Sequence, residues 1–151
     1  MNPEPDFTGA TIADCTTVIL ESHSNQRNGN LTVMQNSDGC PFEIRRIYYL
    51  YDVPAGESRG GHAHRKLHEM LVATSGSFSV TLTDGTGAER TVMLNRPNIG
   101  LHIVPGIWRT LQDFSSGAVC LVIASLPYDE AEYVRSHDEF IRLKNKTAAD
   151  V

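Results

Sequence analysis

No run of about 18 apolar residues occurs in this 151-residue sequence, so no segment reads as a membrane-crossing helix and no membrane partner is expected. There is no stripe of lysine and arginine either. Thirteen basic residues against 18 acidic ones leave a formal net charge of −5, which speaks against nucleic acid as a partner. A phosphorylated small molecule stays within reach, because one anion-binding pocket needs only a few cations. Cysteine is scarce: Cys15, Cys40 and Cys120 are odd in number and show no CxxC spacing. They read as reduced packing thiols. The first ten residues, MNPEPDFTGA, are acidic and lack the apolar core of a secretory signal, which makes the cytoplasm the default expectation. Repeats and low-complexity segments are absent.

What is present is the composition of an ordinary globular protein, 40% hydrophobic and 21% charged. The length suits one domain with a core of its own. Two prolines and few apolar residues near the start make residues 1–14 a loose tail, with the domain over 15–145 and a second loose tail over 146–151. Within the domain, short strand-like segments alternate with turn residues. Residues 16–21 and 31–34 flank a turn over 22–30 in which Asn28-Gly29 is the hairpin signal. A long β-rich run follows over 42–52, then strands near 62–72, 77–83, 90–94 and 101–104. Residues 118–125 are almost continuously apolar, as in a strand buried on both faces. After Pro127 the pattern changes, and 129–144 reads as one or two helical turns. Together these features predict an all-β, single-domain jelly-roll barrel with a short C-terminal helix.

The stretch with the most chemistry is GESRGGHAHRKLHEMLVATSG, residues 56–76. His62 and His64 stand two apart, so on a strand both imidazoles share a face. Gly56, His62, His64, Glu69 and Gly76 fall at every fixed position of the first signature of the cupin superfamily. In metal-binding cupins the two histidines and the glutamate are three of four ligands. The fourth is the histidine of a later Pro-x-Gly-x-x-His motif, and here the matching stretch is Pro105-Gly106-Ile107-Trp108-Arg109. Arginine has no lone pair to offer a metal, and its permanent charge favours an anionic ligand. His62, His64 and Glu69 remain a two-histidine, one-carboxylate set that a metal alternative would use. The other reading of Glu69 is a hydrogen bond that fixes an imidazole's tautomer.

Several neighbours are candidates for substrate contact. Arg59, three residues before His62 with two glycines between, is placed near the pocket mouth. Arg46 and Tyr48 share one face of their strand, with Arg45, Tyr49 and Tyr51 on the other, and the pattern leaves open which face lines the pocket. Trp108 reads equally as core or as a platform for a base or sugar. His68, His102 and His137 read as structural or exposed.

Four segments, FEIRRIYYLYD, RGGHAHRKLHEMLV, PGIWRTLQDFS and ASLPYDEAEYVRSHDEF, resemble in order those of the sugar nucleotide 3,4-ketoisomerases. These are WxcM-like cupins acting on dTDP-4-keto-6-deoxyglucose in deoxysugar biosynthesis. The likeness spans about residues 15–145. It implies an isomerase without metal or other cofactor, a dTDP-linked keto-deoxysugar as substrate, and a homodimer that exchanges an N-terminal β-segment. It also implies catalytic roles for His62 and His64 and substrate contacts from Arg59, Arg46, Tyr48 and Tyr49. Arg27, beside Asn28-Gly29, matches imperfectly the family's early Asp-x-Arg-Gly turn. There are three departures. Glu69 stands where the family often has glutamine. Arg109 replaces a histidine, which bears on product stereochemistry or on the nucleotide carried. Gly61 replaces an aromatic residue and leaves more space.

In the reaction so implied, a base removes the C3 proton acidified by the C4 ketone, and reprotonation at C4 leaves the ketone at C3. Histidine suits this work because its ordinary pKa lies near working pH. His64 is assigned the carbon proton and His62 the shuttle between oxygens, with Arg59 or Arg109 on the diphosphate. Three alternatives stand beside this: a 3- or 3,5-epimerase of the same sugars, a metal-dependent cupin, and a non-catalytic sugar-binding module.

Overall fold

The computed structural model describes residues 6–146, and alternating side chains along short strands build two five-stranded sheets with a shared core between them. In chain order the strands are β1 (Thr16–Ile19), β2 (Glu21–Asn25), β3 (Gly29–Val33), β4 (Gln35–Asn36), β5 (Gly39–Cys40), β6 (Arg46–Tyr51) and β7 (Arg59–His64). They continue as β8 (Glu69–Ser75), β9 (Phe78–Thr83), β10 (Glu89–Leu94), β11 (Ile99–Ile103), β12 (Trp108–Gln112), β13 (Val119–Ala124) and β14 (Tyr133–Val134), followed by helix α1 (His137–Lys144). One sheet runs β1-β11-β8-β13-β6 and the other β10-β9-β12-β7-β14. All neighbouring strands in both are antiparallel. This is the expected all-β domain with one short C-terminal helix.

Period-two alternation decides what faces the core. From the first sheet come Leu71, Ala73, Leu101, Ile103 and Val122, and from the second Phe78, Val80, Leu82 and Leu111. Burying each of the large side chains among these, all but Ala73, contributes roughly 1.5–3 kcal/mol. Strand β13, the continuously apolar segment, lies between β8 and β6, which accounts for its lack of a polar face. Strand β6 alternates strictly: Arg46, Tyr48 and Leu50 are half-buried, while Ile47, Tyr49 and Tyr51 are about 60% exposed (59, 61 and 61%). The pocket-lining face left open by the sequence is therefore that of Arg46 and Tyr48.

A second cluster, Leu20, Cys40, Met70, Val72 and Ile123 with Phe42 and Ile44, covers the outer face of the first sheet. It explains why only part of the 42–52 run is a strand. Phe42 and Ile44 turn onto that cluster, and the Ile44 amide donates to Asn36 Oδ1 at 2.8 Å instead of joining a ladder. On the outer face of the second sheet, Phe140 of α1 packs against Ala63, Val134 and Trp108. Ser136 caps this helix by accepting from the Glu139 amide at 3.3 Å, and its acidic first turn and basic last turn match the helix dipole.

Two expectations need correction. Residues 6–14 are not a loose tail: Lys144 Nζ donates to the carbonyls of Phe7 (2.6 Å) and Ala10 (2.7 Å), and Asp84 accepts from the Ile12 amide at 2.9 Å. Residues 1–5 and 147–151, also expected as tails, lie outside the described residues. The hairpin turn is also tighter than expected. β2 runs through residues 21–25, which the sequence assigns mostly to the turn, and the chain reverses at residues 26–28. The β2–β3 ribbon is exposed along nearly its whole length. Among the described residues no helix is long and apolar enough to cross a membrane.

Candidate active site

Strand β7 carries the histidines, and a bulge aims them. Its pairing with β12 sets Arg109 opposite His62 and Leu111 opposite Arg59, so two steps on β12 match three on β7. Gly60 is the extra residue and adopts φ +76°, a conformation that costs glycine little. Cross-strand partners share a face. Arg59, paired with Leu111 across the bulge, is exposed, while His62 and His64 are turned inward and buried. Along its other edge β7 pairs with β14, which sets Tyr133 opposite His64. From the facing sheet, Glu69 opens β8 and Tyr48 lies in the middle of β6.

Four side chains meet on the carboxylate of Glu69. Its Oε1 lies 2.5 Å from His64 Nε2 and 4.0 Å from His62 Nε2, and accepts from Arg109 Nη1 at 2.8 Å. Its Oε2 accepts from the Tyr48 hydroxyl at 3.1 Å. The two imidazole Nε2 atoms are 3.1 Å apart. His64 and Arg109 are each only 1% exposed and His62 8%, so water screens this cluster poorly.

The electrostatics follow from burial. Burial alone would raise the Glu69 carboxyl, but Arg109 and both imidazoles outweigh it and hold the group well below the usual carboxylate range. Burial pushes His64 down to about 4 against the opposing pull of its Glu69 hydrogen bond, and it lowers His62 in the same way. Burial, aided by the Glu69 charge, raises the Tyr48 phenol. Near neutral pH the cluster thus comprises two neutral imidazoles, an ionised carboxylate and a protonated phenol. With the His64 Nε2 proton donated to Glu69, the lone pair falls on Nδ1, a buried atom without a hydrogen-bond partner.

Tyr133 closes this array and is the residue that sequence reasoning missed. Its ring lies 4.6 Å from that of His64 and 5.0 Å from that of His62, centroid to centroid. Its hydroxyl accepts from Arg46 Nη1 at 3.1 Å, and the Arg135 guanidinium sits 4.2 Å over its ring. Arg46 also stacks on Tyr48 and Tyr128, at 4.4 and 5.0 Å. The cavity beside His62, Glu69 and Arg109 measures about 30 Å³, space for a water or two but not for a hexose.

Other candidate residues are distributed differently. Trp108 is not a platform in the barrel: neighbouring Arg109 points inward, and Trp108 packs outside against His137 and Phe140, at 5.0 and 5.7 Å. Tyr49 is on the solvent face of β6, next to Tyr51. Arg109 is committed to Glu69 and the Ile107 carbonyl, which removes it as a rim donor for a diphosphate. Arg27 lies at the exposed tip of the β2–β3 ribbon. The space expected at Gly61 opens outward, since a Cβ there would meet Trp108 at an ordinary 3.7 Å. His68 and His102 form a partly buried pair, 3.0 Å between Nδ1 and Nε2, on the outer side of the first sheet beside Phe42.

As a metal centre the donor set is close but blocked. One donor atom each from His62, His64 and Glu69 lies within 4.8 Å of the others. The Glu69 oxygen nearest both imidazoles, however, already accepts from the Arg109 guanidinium. The residues present do not fit a metal ion.

Comparison with known proteins returns mainly sugar 3,4-ketoisomerases, with a 4-keto-6-deoxy sugar epimerase among the more distant structural neighbours. The family model described as WxcM-like, C-terminal (FdtA) matches residues 13–145. A TDP-4-oxo-6-deoxy-alpha-D-glucose-3,4-oxoisomerase from Aneurinibacillus thermoaerophilus is 41% identical over 112 residues, 74% of this chain and 80% of that protein. The crystal structure of a 3,4-ketoisomerase from Helicobacter canadensis superposes with a TM-score of 0.84 at 42% identity, covering 88% of this chain and 98% of the other. A histidine-to-asparagine mutant of the 3,4-ketoisomerase QdtA from Thermoanaerobacterium thermosaccharolyticum, in complex with TDP-4-keto-6-deoxyglucose, gives 0.83 at 35% identity over 86% and 93% of the two chains.

Proposed function

Since the chain belongs to the WxcM-like family, we propose that it is a sugar nucleotide 3,4-ketoisomerase that moves the ketone of dTDP-4-keto-6-deoxyglucose from C4 to C3. The observation that carries this is the Glu69–His64–His62 array. Glu69 holds the His64 tautomer so that an unprotonated Nδ1 is left free. That lone pair takes the C3 proton, giving an enediolate shared between C3 and C4. His62, the more exposed imidazole, carries the O3 proton to O4. The proton returned to C4 completes the exchange, so hydrogen is relocated with no net oxidation and no redox cofactor is required. Arg46 and Tyr133 are the donors assigned to the enediolate oxygens, an effect worth a few kcal/mol, while the Tyr48 hydroxyl keeps its bond to Glu69. Arg59 at the rim is the cation for the diphosphate.

The reading extends to a homodimer that exchanges its N-terminal β-segment. The exposed β2–β3 ribbon faces a groove of about 710 Å³ against the outer face of the first sheet, lined by Ser22, Thr32, Ile47, Leu121 and Ile123. Leu31, Ile47 and Tyr49 are left 57–61% exposed. Exchange would bring Arg27 of each ribbon to the partner's surface, and a monomer mass in sedimentation at working concentration would refute it. Three buried free thiols suit the reducing cytoplasm.

The test is NMR of dTDP-4-keto-6-deoxyglucose with chelator-treated enzyme in deuterated water. A 3-keto product with deuterium at C4, lost in His64→Ala and His62→Ala, is expected. Exchange at C3 or C5 with the ketone still at C4 would mean an epimerase instead.

A further inference from the structure

We propose that Arg109 is the resident cation of the His62–His64–Glu69 cluster and that it excludes a metal ion from a site otherwise one ligand short of complete. Three donors converge within 4.8 Å, all on buried side chains, and β12 delivers residue 109 to the same inner face directly opposite His62. Position 109 is thus where a fourth ligand would reach the cluster. What it supplies is a guanidinium, which has no lone pair and cannot lose its charge. Its Nη1 is 2.8 Å from Glu69 Oε1, the oxygen 2.5 Å from His64 Nε2 and 4.0 Å from His62 Nε2.

An ion bound to this oxygen and the imidazoles would lie about 2 Å from each of them. It would then come within a few ångströms of Nη1, in a pocket with little water to screen the repulsion. Arg109 cannot simply swing away. Its Nε and Nη2 both donate to the Ile107 carbonyl, at 3.4 and 3.3 Å, and the side chain is 1% exposed. The cation is held from both ends, by Glu69 and by the backbone of its own strand entry. Arg109 thus neutralises Glu69 where a metal ion otherwise would, which, on the ketoisomerase reading proposed above, reserves the histidines for proton transfer.

The experiment titrates tag-free, chelator-stripped protein with Zn²⁺ and Co²⁺, reading metal per chain after desalting, the Co²⁺ ligand-field spectrum and the thermal midpoint. Wild-type protein is expected to retain no Zn²⁺ and to show no Co²⁺ spectrum up to about 1 mM. Arg109→His is expected to take one ion per chain on the order of 100-fold more tightly, a small part of the repulsion removed with the guanidinium. The gain should disappear in His64→Ala/Arg109→His, and Zn²⁺ should raise the midpoint of Arg109→His but not that of wild type. Arg109→Gln, which removes the charge without adding a ligand, covers the case in which the histidine variant fails to fold. One ion per wild-type chain, lost on His64→Ala, would overturn the proposal. So would folded Arg109→His and Arg109→Gln proteins that both bind no metal.

Discussion

Replacing Glu69 by glutamine should show how much of the site's order rests on one buried charge pair. In Glu69→Gln the shape is nearly kept, but Arg109 loses the carboxylate it pairs with while remaining 1% exposed. Breaking a buried pair by removing one partner costs about 3–5 kcal/mol, since the surviving charge is left uncompensated. At about 2–4 °C per kcal/mol for a domain of this size, the midpoint should fall by roughly 6–20 °C. Arg109→His should cost a similar amount, because it strands the Glu69 carboxylate between two imidazoles. The double variant Glu69→Gln/Arg109→His carries neither charge and places a neutral amide beside a neutral imidazole. It should be more stable than the sum of the single losses by at least about 2 kcal/mol. Urea unfolding of all four proteins, with chelator present at pH 7.5, measures this. Single losses below about 1 kcal/mol, or a double variant additive within about 0.5 kcal/mol, would refute the view that the two residues act as a pair.

Two further outcomes follow from the same geometry. His64 and His102 are each held near 4 in the folded protein, chiefly by burial, against about 6.5 when unfolded. Both stay neutral in the native state while the unfolded chain takes up protons, so their contribution is full above pH 6.5 and lost as pH falls towards 4. The urea midpoint should therefore drop steadily across that window, and a midpoint constant or rising on acidification would contradict it. Trp108→Ala should loosen the α1 contact with the second sheet and cost about 1–3 kcal/mol, less than a fully buried aromatic because Trp108 is only half-buried. KM should be unchanged. A KM raised tenfold without a change in thermal midpoint would return this residue to the substrate.

What the sequence revealed and what it hid divides along contact range. His62 and His64 were legible because a period of two is a local property, and their common face survives any tertiary arrangement. The same locality showed that Arg46 goes with Tyr48 and Tyr49 with Tyr51, without showing which pair faces inward. That depended on β6 pairing with β13, whose residues lie some 70 positions away. Arg109 shows the limit most clearly. Its spacing from Pro105 placed it at a ligand position, and its charge suggested a phosphate outside. The deciding fact was a carboxylate 40 residues earlier on the opposite sheet, which makes the interior habitable for a guanidinium. Tyr133 was hidden for the opposite reason. It belongs to a two-residue strand in a segment that otherwise reads as helical, too short to carry any period, and only its pairing with His64 turns it over the imidazoles. The short strand is also what holds Tyr133 in place: its backbone is tied to β7, and the Tyr133 hydroxyl accepts from Arg46.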